Sequence, residues 1–263
     1  MIESTTSDGI ATVTLTTKTM PPAFFPACRA VFEDLAREEG LRCVVIRSSE
    51  DCFSYGLDLP ATFSELGPLF SGGGAETRSK LLATIRDWQG AASAIARCPA
   101  PVIAAVHGWC VGGGLDLVSA CDIRLAAADA QFSLREAKVA IVADLGSLQR
   151  LPAIIGPAHT RELAYSGKDI DAQRALAIGL VNTVHETRQE TFAAAQELAS
   201  EIAGNSPLVV RGIKQVLDFG VGKSVADGLE YVAAWNAAFL ASEDLAEAGA
   251  AFMEKRPPVY RGR

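Results

Sequence analysis

The sequence predicts an α/β fold with a largely parallel sheet, continued by an all-helical C-terminal region. Three observations predict it. Apolar, β-branched runs of strand length alternate with helix-period segments as far as about Thr183, glycine-rich turns follow two of those strands, and beyond Thr183 only helical periodicity remains. A chain of 263 residues suits one sizeable α/β domain with a helical extension, or two small domains, and 49% hydrophobic against 21% charged residues is the balance of a folded globular chain.

Ile10, Thr12, Thr14 and Thr16 alternate with Ala11, Val13, Leu15 and Thr17, the pattern of a half-buried strand. A helix is expected over 27–39, ended near Gly40. Residues 41–48 (LRCVVIRS) read as a strand buried on both faces, with 49–59 as the loop after it. The glycine-rich interruption at 71–74 has no apolar periodicity, so 63–76 is expected as a mobile loop. Residues 77–97 are helix-like and are stopped by Pro99 and Pro101. A buried strand follows at 102–106, then a helix over 112–120 after a glycine turn, then short strands at 123–127 and 131–133. The remainder is helical, at 189–203, 207–219, 224–240 and 242–255. Those helices carry Ala and Leu faces that need cover, and a partner subunit is the expected cover.

Composition excludes several classes. The formal net charge of −7, without a basic tract, gives no general attraction for nucleic acid. Six cysteines at 28, 43, 52, 98, 110 and 121 form no Cys-x-x-Cys pair and sit mostly in apolar runs, so reduced, buried thiols and no metal site are expected. Residues 1–8 are polar and acidic, unlike a secretion signal, and no segment approaches a membrane span in length. A cytoplasmic protein without a membrane partner is expected.

The segment HGWCVGGGLD, His107 to Asp116, lies between a buried strand and a helix. Three consecutive glycines there permit close backbone approach and leave amide donors free at a helix start, where a developing oxyanion is well placed. Taken alone, the segment reads equally as a tight strand-to-helix turn. It is not a dinucleotide fingerprint, because three residues separate Gly108 from Gly112. CFSYGLDL, Cys52 to Leu59, is a second glycine turn after a strand. Two such turns at the carboxyl ends of parallel strands occupy the region where open α/β sheets bind ligands.

Acids supply the third component. Asp116 follows Gly113 by three residues, and Glu136 and Asp144 sit in QFSLREAKVAIVADLGSLQRLP among Ala137, Val139, Ala140, Ile141, Val142, Ala143 and Leu145. A desolvated carboxylate has a raised pKa and exchanges protons near neutrality. For any one of these acids alone a structural role is the readier reading: Asp144 would cap the segment after it or pair with Arg150.

The two turns, the acids and the tail AAFMEKRPPVYRGR together resemble the enoyl-CoA hydratase/isomerase (crotonase) superfamily over nearly the whole chain. The resemblance implies the ClpP/crotonase-like fold, with a repeated ββα spiral core over 1–188 and a helical C-terminal region over 189–263. That region is used in trimer formation and in a hexamer built as a dimer of trimers. It implies that the amides of Leu57 and Gly113 form an oxyanion hole for an acyl-CoA thioester. Ser54, Tyr55, Gly56, Asp58 and Gly114 would line the acyl-CoA site, and no cofactor is needed beyond the coenzyme A carried by the substrate. The run TTKTMPPAFFPA departs from the family, which often has an Asn there, and puts the local contact with coenzyme A in question.

Within the family, hydratases carry glutamates where this chain has Asp116 and Glu136. The set Asp116, Glu136 and Asp144 resembles instead the 3,5-dienoyl to 2,4-dienoyl-CoA isomerases of fatty-acid β-oxidation, with Asp144 the discriminating residue. Glu136 is expected to serve C2 and Asp144 to serve C6, with Asp116 orienting the pair or taking up a proton. The alternatives are an enoyl-CoA hydratase and a non-catalytic acyl-CoA- or RNA-binding protein of the same fold. Chain-length preference is expected to be shaped by 63–76 and the C-terminal helices.

Overall fold

β1 (Ile2–Ser7) and β2 (Ile10–Leu15) form an antiparallel hairpin in which Ile2 faces Leu15 and Ser7 faces Ile10. Asp8 and Gly9 turn it with φ of 52° and 77°, the paired positive angles of a two-residue hairpin. β1 is a polar, exposed edge, so no apolar alternation reveals it in the sequence, and the Asp-Gly pair is its signal. The structure is a computed structural model that describes residues 1–71 and 73–263.

α1 (Phe24–Leu35) buries Phe24, Phe25, Cys28, Phe32 and Leu35, a single face at helical spacing. Each of these phenylalanines contributes roughly 1.5–3 kcal/mol by leaving water. In β3 (Cys43–Ser48), Val44 and Ile46 enter the main core while Cys43 and Val45 enter a second cluster, so the strand is buried on both faces. α2 (Leu59–Ser71) replaces the mobile loop expected over 63–76. The Asp58 carboxylate accepts the Ala61 amide at 2.9 Å at its start, and Phe63 packs edge-on against Phe70 two turns later. The glycines that argued for a loop act only after Ser71, and of that run Gly72 lies outside the described residues.

α3 (Ala75–Ala96) lies against α1, with Trp88 stacked on Phe25 at 4.6 Å. Next come β4 (Val102–Val106), the unexpected three-residue β5 (Trp109–Val111), α4 (Gly113–Ser119), β6 (Ile123–Ala127) and β7 (Gln131–Ser133). A 3-10 turn (Arg135–Val139) leads to α5 (Ser147–Ile154), α6 (Gly156–Ser166), β8 (Asp169–Asp171), α7 (Ala172–Ala177) and β9 (Thr183–His185). α8 (Arg188–Ala203), α9 (Pro207–Gly220), α10 (Val225–Phe239) and α11 (Glu243–Glu254) complete the chain.

The large sheet has the order β1-β2-β3-β4-β6-β9 and is parallel from β2 onward. The small sheet has the order β5-β7-β8, with β5 parallel to β7 and β8 antiparallel to it. Successive strands step between the two layers, β4 and β6 into the large sheet and β5 and β7 into the small one, which is the repeated ββα spiral. α8 covers the outer face of the large sheet, where Ala195 and Ala199 meet Val45, Ile103 and Leu125. Thus α8, although part of the helical C-terminal run, packs with the core, and the exposed apolar positions gather on α9 to α11.

Candidate active site

The two glycine turns meet because both are stitched to common neighbours. The Ser54 amide donates to the Trp109 carbonyl at 2.8 Å, and the Val111 amide donates to the Ser54 carbonyl at 2.9 Å. On the other side, Met20 N–H donates to the Gly56 carbonyl and Asp58 N–H donates to the Met20 carbonyl, at 2.8 and 2.9 Å. Alternation along an extended strand then leaves Leu57 N–H pointing away from Met20, toward α4. Gly113 is the first residue of α4, so its amide has no intrahelical acceptor. Neither amide has a backbone acceptor among the described residues. A Cβ on Gly113 would lie 3.8 Å from the Leu57 nitrogen, and both residues line one cleft of about 290 Å³.

Gly56 makes the convergence possible. Its φ is +81°, and a Cβ there would stand 2.6 Å from the Val111 carbonyl and 3.1 Å from the Gly113 nitrogen. Gly56→Ala is therefore expected to push the turns apart and lower kcat/KM roughly 10²–10³-fold, with the loss falling mainly on kcat, as measured by steady-state kinetics. Wild-type kinetics in that variant would refute the amide pair.

All three expected acids line the same cleft. Asp116, on α4, is only 1% exposed, and its Oδ1 accepts the Ser147 amide at 2.6 Å. Burial pushes its carboxyl up to about 6, against the opposing pull of the Ser147 hydrogen bond. Glu136 stands on the 3-10 turn after β7, with Oε1 3.1 Å from where a Gly112 Cβ would be. Its Oε2 is buried without a hydrogen-bond partner among the described residues. Burial, then the Asp116 charge, then that of Asp144, push it up to about 7. Asp144 is half-buried, and burial raises its pKa too.

Asp144 reaches the cleft because Ala140 adopts a left-handed conformation (φ 58°) that reverses the chain after the 3-10 turn. Gln89 on α3 then donates to the Asp144 carbonyl at 2.7 Å. Neither structural role open to Asp144 in the sequence is taken up: Arg150 bonds the Leu145 carbonyl, and the first amide of α5 goes to Asp116. A half-buried carboxylate in a cleft, without an ion-pair partner, is a candidate for proton-transfer chemistry.

Residues 5–263 match the enoyl-CoA hydratase/isomerase family. The chain belongs to that family. It is 40% identical over 246 residues to a mitochondrial Delta(3,5)-Delta(2,4)-dienoyl-CoA isomerase of Dictyostelium discoideum, with 92% of this chain and 83% of the relative covered. It is 41% identical over 239 residues to a peroxisomal Delta(3,5)-Delta(2,4)-dienoyl-CoA isomerase of Arabidopsis thaliana, with 90% and 86% covered. Among solved structures, enoyl-CoA hydratase from Bacillus anthracis is similar with a TM-score of 0.89 and 28% identity, covering 100% of this chain and 99% of that one. The fold is the crotonase fold.

Of the five further positions that the crotonase resemblance implied, Tyr55 alone lines the cleft. Ser54 is fully buried, and its hydroxyl accepts the Gly56 amide at 3.0 Å. The Asp58 carboxylate accepts from the Ala61 amide at the start of α2 and from Thr19, which lowers its pKa. Gly56 and Gly114 act by close approach, a Gly114 Cβ falling 3.0 Å from that of Ser54. Those four build the cleft from behind.

Several cleft residues were not singled out from the sequence. Leu59, Val111, Arg135, Val139, Ile141 and Leu145 complete the lining. Met20 was passed over as part of the departing TTKTMPPA run, yet its backbone orients Leu57 and its sulfur lies 3.1 Å from the Gly113 Cβ position. His107 stands apart from the cleft: its Nε2–H donates to the Glu50 carbonyl at 2.9 Å, and burial lowers its pKa. All six cysteines are free and buried, and burial pushes the Cys28 thiol up to about 12. Among the described residues no His, Cys, Asp and Glu group could hold a metal ion, and no helix is long and apolar enough to cross a membrane.

Proposed function

We propose that the protein isomerises 3,5-dienoyl-CoA to 2,4-dienoyl-CoA. The observation that carries this reading is a pair of desolvated carboxylates, Glu136 and Asp144, on one cleft with two main-chain amides free to bind an oxyanion. The relatives named for this activity, at 40% and 41% identity over most of the chain, support it.

The chemistry needs those parts. Moving two conjugated double bonds toward the thioester removes a proton from C2 and adds one at C6, through a dienolate whose negative oxygen must be held. Leu57 and Gly113 supply the two donors for that oxygen. Glu136, whose Oε1 stands 3.1 Å from the Cβ position of Gly112, beside the Gly113 amide, takes the C2 proton. Asp144 gives a proton to C6, which restores a neutral thioester and leaves one proton fewer on Asp144 and one more on Glu136. Asp116, locked by Ser147, does not move, and its charge raises the proton affinity of Glu136.

The test is direct. Purified protein given 3,5-octadienoyl-CoA should develop the ultraviolet absorbance of a diene conjugated with the thioester carbonyl. The second reading is a hydratase, favoured by the likeness to the Bacillus anthracis enzyme. Consumption of 2-enoyl-CoA by hydration without any dienoyl turnover would select it.

The proposed partner is the acyl-CoA substrate, with no separate cofactor. α9 exposes Val209, Ile213 and Leu217 at four-residue spacing, 45–68% accessible, and α11 exposes Phe252 and Met253. Such a face supports the proposed trimer or hexamer formed through the region 189–263; sedimentation velocity gives the mass that decides it. The proposed compartment is the cytoplasm, where six free thiols persist, and fractionation separates it from the mitochondrion and peroxisome of the relatives.

A further inference from the structure

Asp144 stands on a stretch of chain with little pairing of its own. The Ile141 amide donates to the Glu136 carbonyl at 3.0 Å, and backbone pairing resumes only where Gln149 and Arg150 donate to the Gly146 carbonyl at the start of α5. Between them, from Val142 to Leu145, no backbone–backbone hydrogen bond is made among the described residues. Burial adds little: Ile141 and Val142 are exposed, and Ala143 alone of 141–146 is buried. Such a segment belongs to the low-stability end of a fold unless something outside it holds it. Two side chains reach its backbone. Arg150 donates to the Leu145 carbonyl at 3.4 Å, the long end of the range, whereas Gln89 donates to the Asp144 carbonyl at 2.7 Å.

Gln89 comes from a firm platform. It lies on α3 next to Trp88, which stacks on Phe25 at 4.6 Å, and next to Gly90, where a Cβ would come within 3.0 Å of Arg29 on α1. Ala91, Ala92 and Ile95 bury the following turn. Its hydrogen bond therefore ties the unpaired stretch to the packed pair α1 and α3.

We propose that Gln89 is the positioning residue for the C6 acid: by holding the Asp144 carbonyl it fixes the direction in which the Asp144 carboxylate enters the cleft. The proposal rests on the isomerase reading and deepens it. Carbonyl and side chain leave the same Cα, so a fixed peptide plane after Asp144 leaves its carboxylate only two side-chain torsions. That carboxylate forms no ion pair, so no partner would restore its place once the carbonyl was released. Glu136 is placed separately, on the 3-10 turn, whose backbone pairs without Gln89. Gln89 thus bears on one proton transfer and not on the other.

Two variants test it. Gln89→Leu keeps the bulk and removes the donor; Gln89→Glu sets an acceptor against the Asp144 carbonyl. In both, formation of the conjugated product from 3,5-octadienoyl-CoA should fall roughly 10- to 100-fold, while exchange of the C2 hydrogens with solvent deuterium stays within about twofold. A crystal structure of Gln89→Leu should show the Asp144 carboxylate displaced by about 1 Å or more, or spread over conformers, with Glu136 in place. A merely loosened fold would lose product formation and C2 exchange together, so equal losses overturn the proposal. Product formation at the wild-type rate in both variants overturns it too, as does an unmoved Asp144 in the crystal. Failure of the wild-type protein to isomerise the dienoyl-CoA would instead sink the isomerase reading, and the crystal structure would still decide whether Gln89 holds Asp144.

Discussion

Glu136→Gln is expected to abolish isomerisation, lowering kcat roughly 10³–10⁴-fold, and to make the fold more stable at alkaline pH. The first effect follows from the proposed role: Glu136, against Gly112 at the start of α4, takes the C2 proton, and glutamine cannot. The variant should also lose exchange of the C2 hydrogens with solvent deuterium, which reads proton removal separately from product formation. The second effect follows from linkage. The carboxyl is pushed up from its ordinary value of 4.5 to about 7, so the native state holds its proton more tightly than the unfolded chain does. Below about 4.5 both states are protonated and the difference vanishes. Between about 4.5 and about 7 the unfolded chain loses its proton first, so stability falls as pH rises, and above about 7 the whole penalty of a buried charge is present. Removing that penalty should raise stability by on the order of 2 kcal/mol at pH 8, about 5 °C in Tm, with little change near pH 4. Thermal melts at the two pH values check it, and a variant less stable than wild type at pH 8 would contradict the desolvated carboxylate.

The pH profile of the wild-type enzyme belongs to the same pair. One carboxylate must be ionised to take a proton and the other protonated to give one, so the active form carries a single proton on Glu136 and Asp144 together. Of its two tautomers, the one with the proton on Asp144 starts the reaction. kcat/KM should fall above about 7, as the proton held by Glu136 leaves, and fall again at low pH once both acids are protonated.

Asp144→Asn is expected to separate the two halves of the reaction. With Glu136 and the amides intact, C2 hydrogen exchange in deuterium oxide should continue near the wild-type rate. Protonation at C6 should fail, and formation of the conjugated product should drop roughly 10³-fold. The side chain forms no ion pair, and its carboxylate is bonded only by its own backbone amide among the described residues, so the thermal midpoint should move little. Full product formation in this variant would remove the reason for choosing an isomerase over a hydratase. Loss of exchange together with product would mean that Asp144, not Glu136, serves C2.

Much of this protein is legible along the chain because the signals are local. Buried strands such as 102–106 and the four C-terminal helices appear within a residue or two of their expected bounds, since periodicity and capping residues act over one or two turns. β1 was not legible in the same way, because a polar edge strand owes its form to pairing with β2. α2 was misread because a glycine run beside it outweighed a cap at Asp58 whose geometry only the fold reveals. The acids and the two glycine turns were visible as residues, but their meeting was not: Leu57 and Gly113 lie more than fifty positions apart in the chain.

By itself, then, the sequence determined the α/β class, the helical C-terminal run and the residue types able to do proton-transfer chemistry, all of which depend on neighbours a few positions away. Tertiary structure alone decided which amides point into a shared cleft, that Asp116 is tied to Ser147 while the Asp144 carboxylate forms no ion pair, and that Gln89 reaches the Asp144 carbonyl. Those are matters of desolvation and distance between segments remote in the chain, and such quantities exist only once the layers have packed.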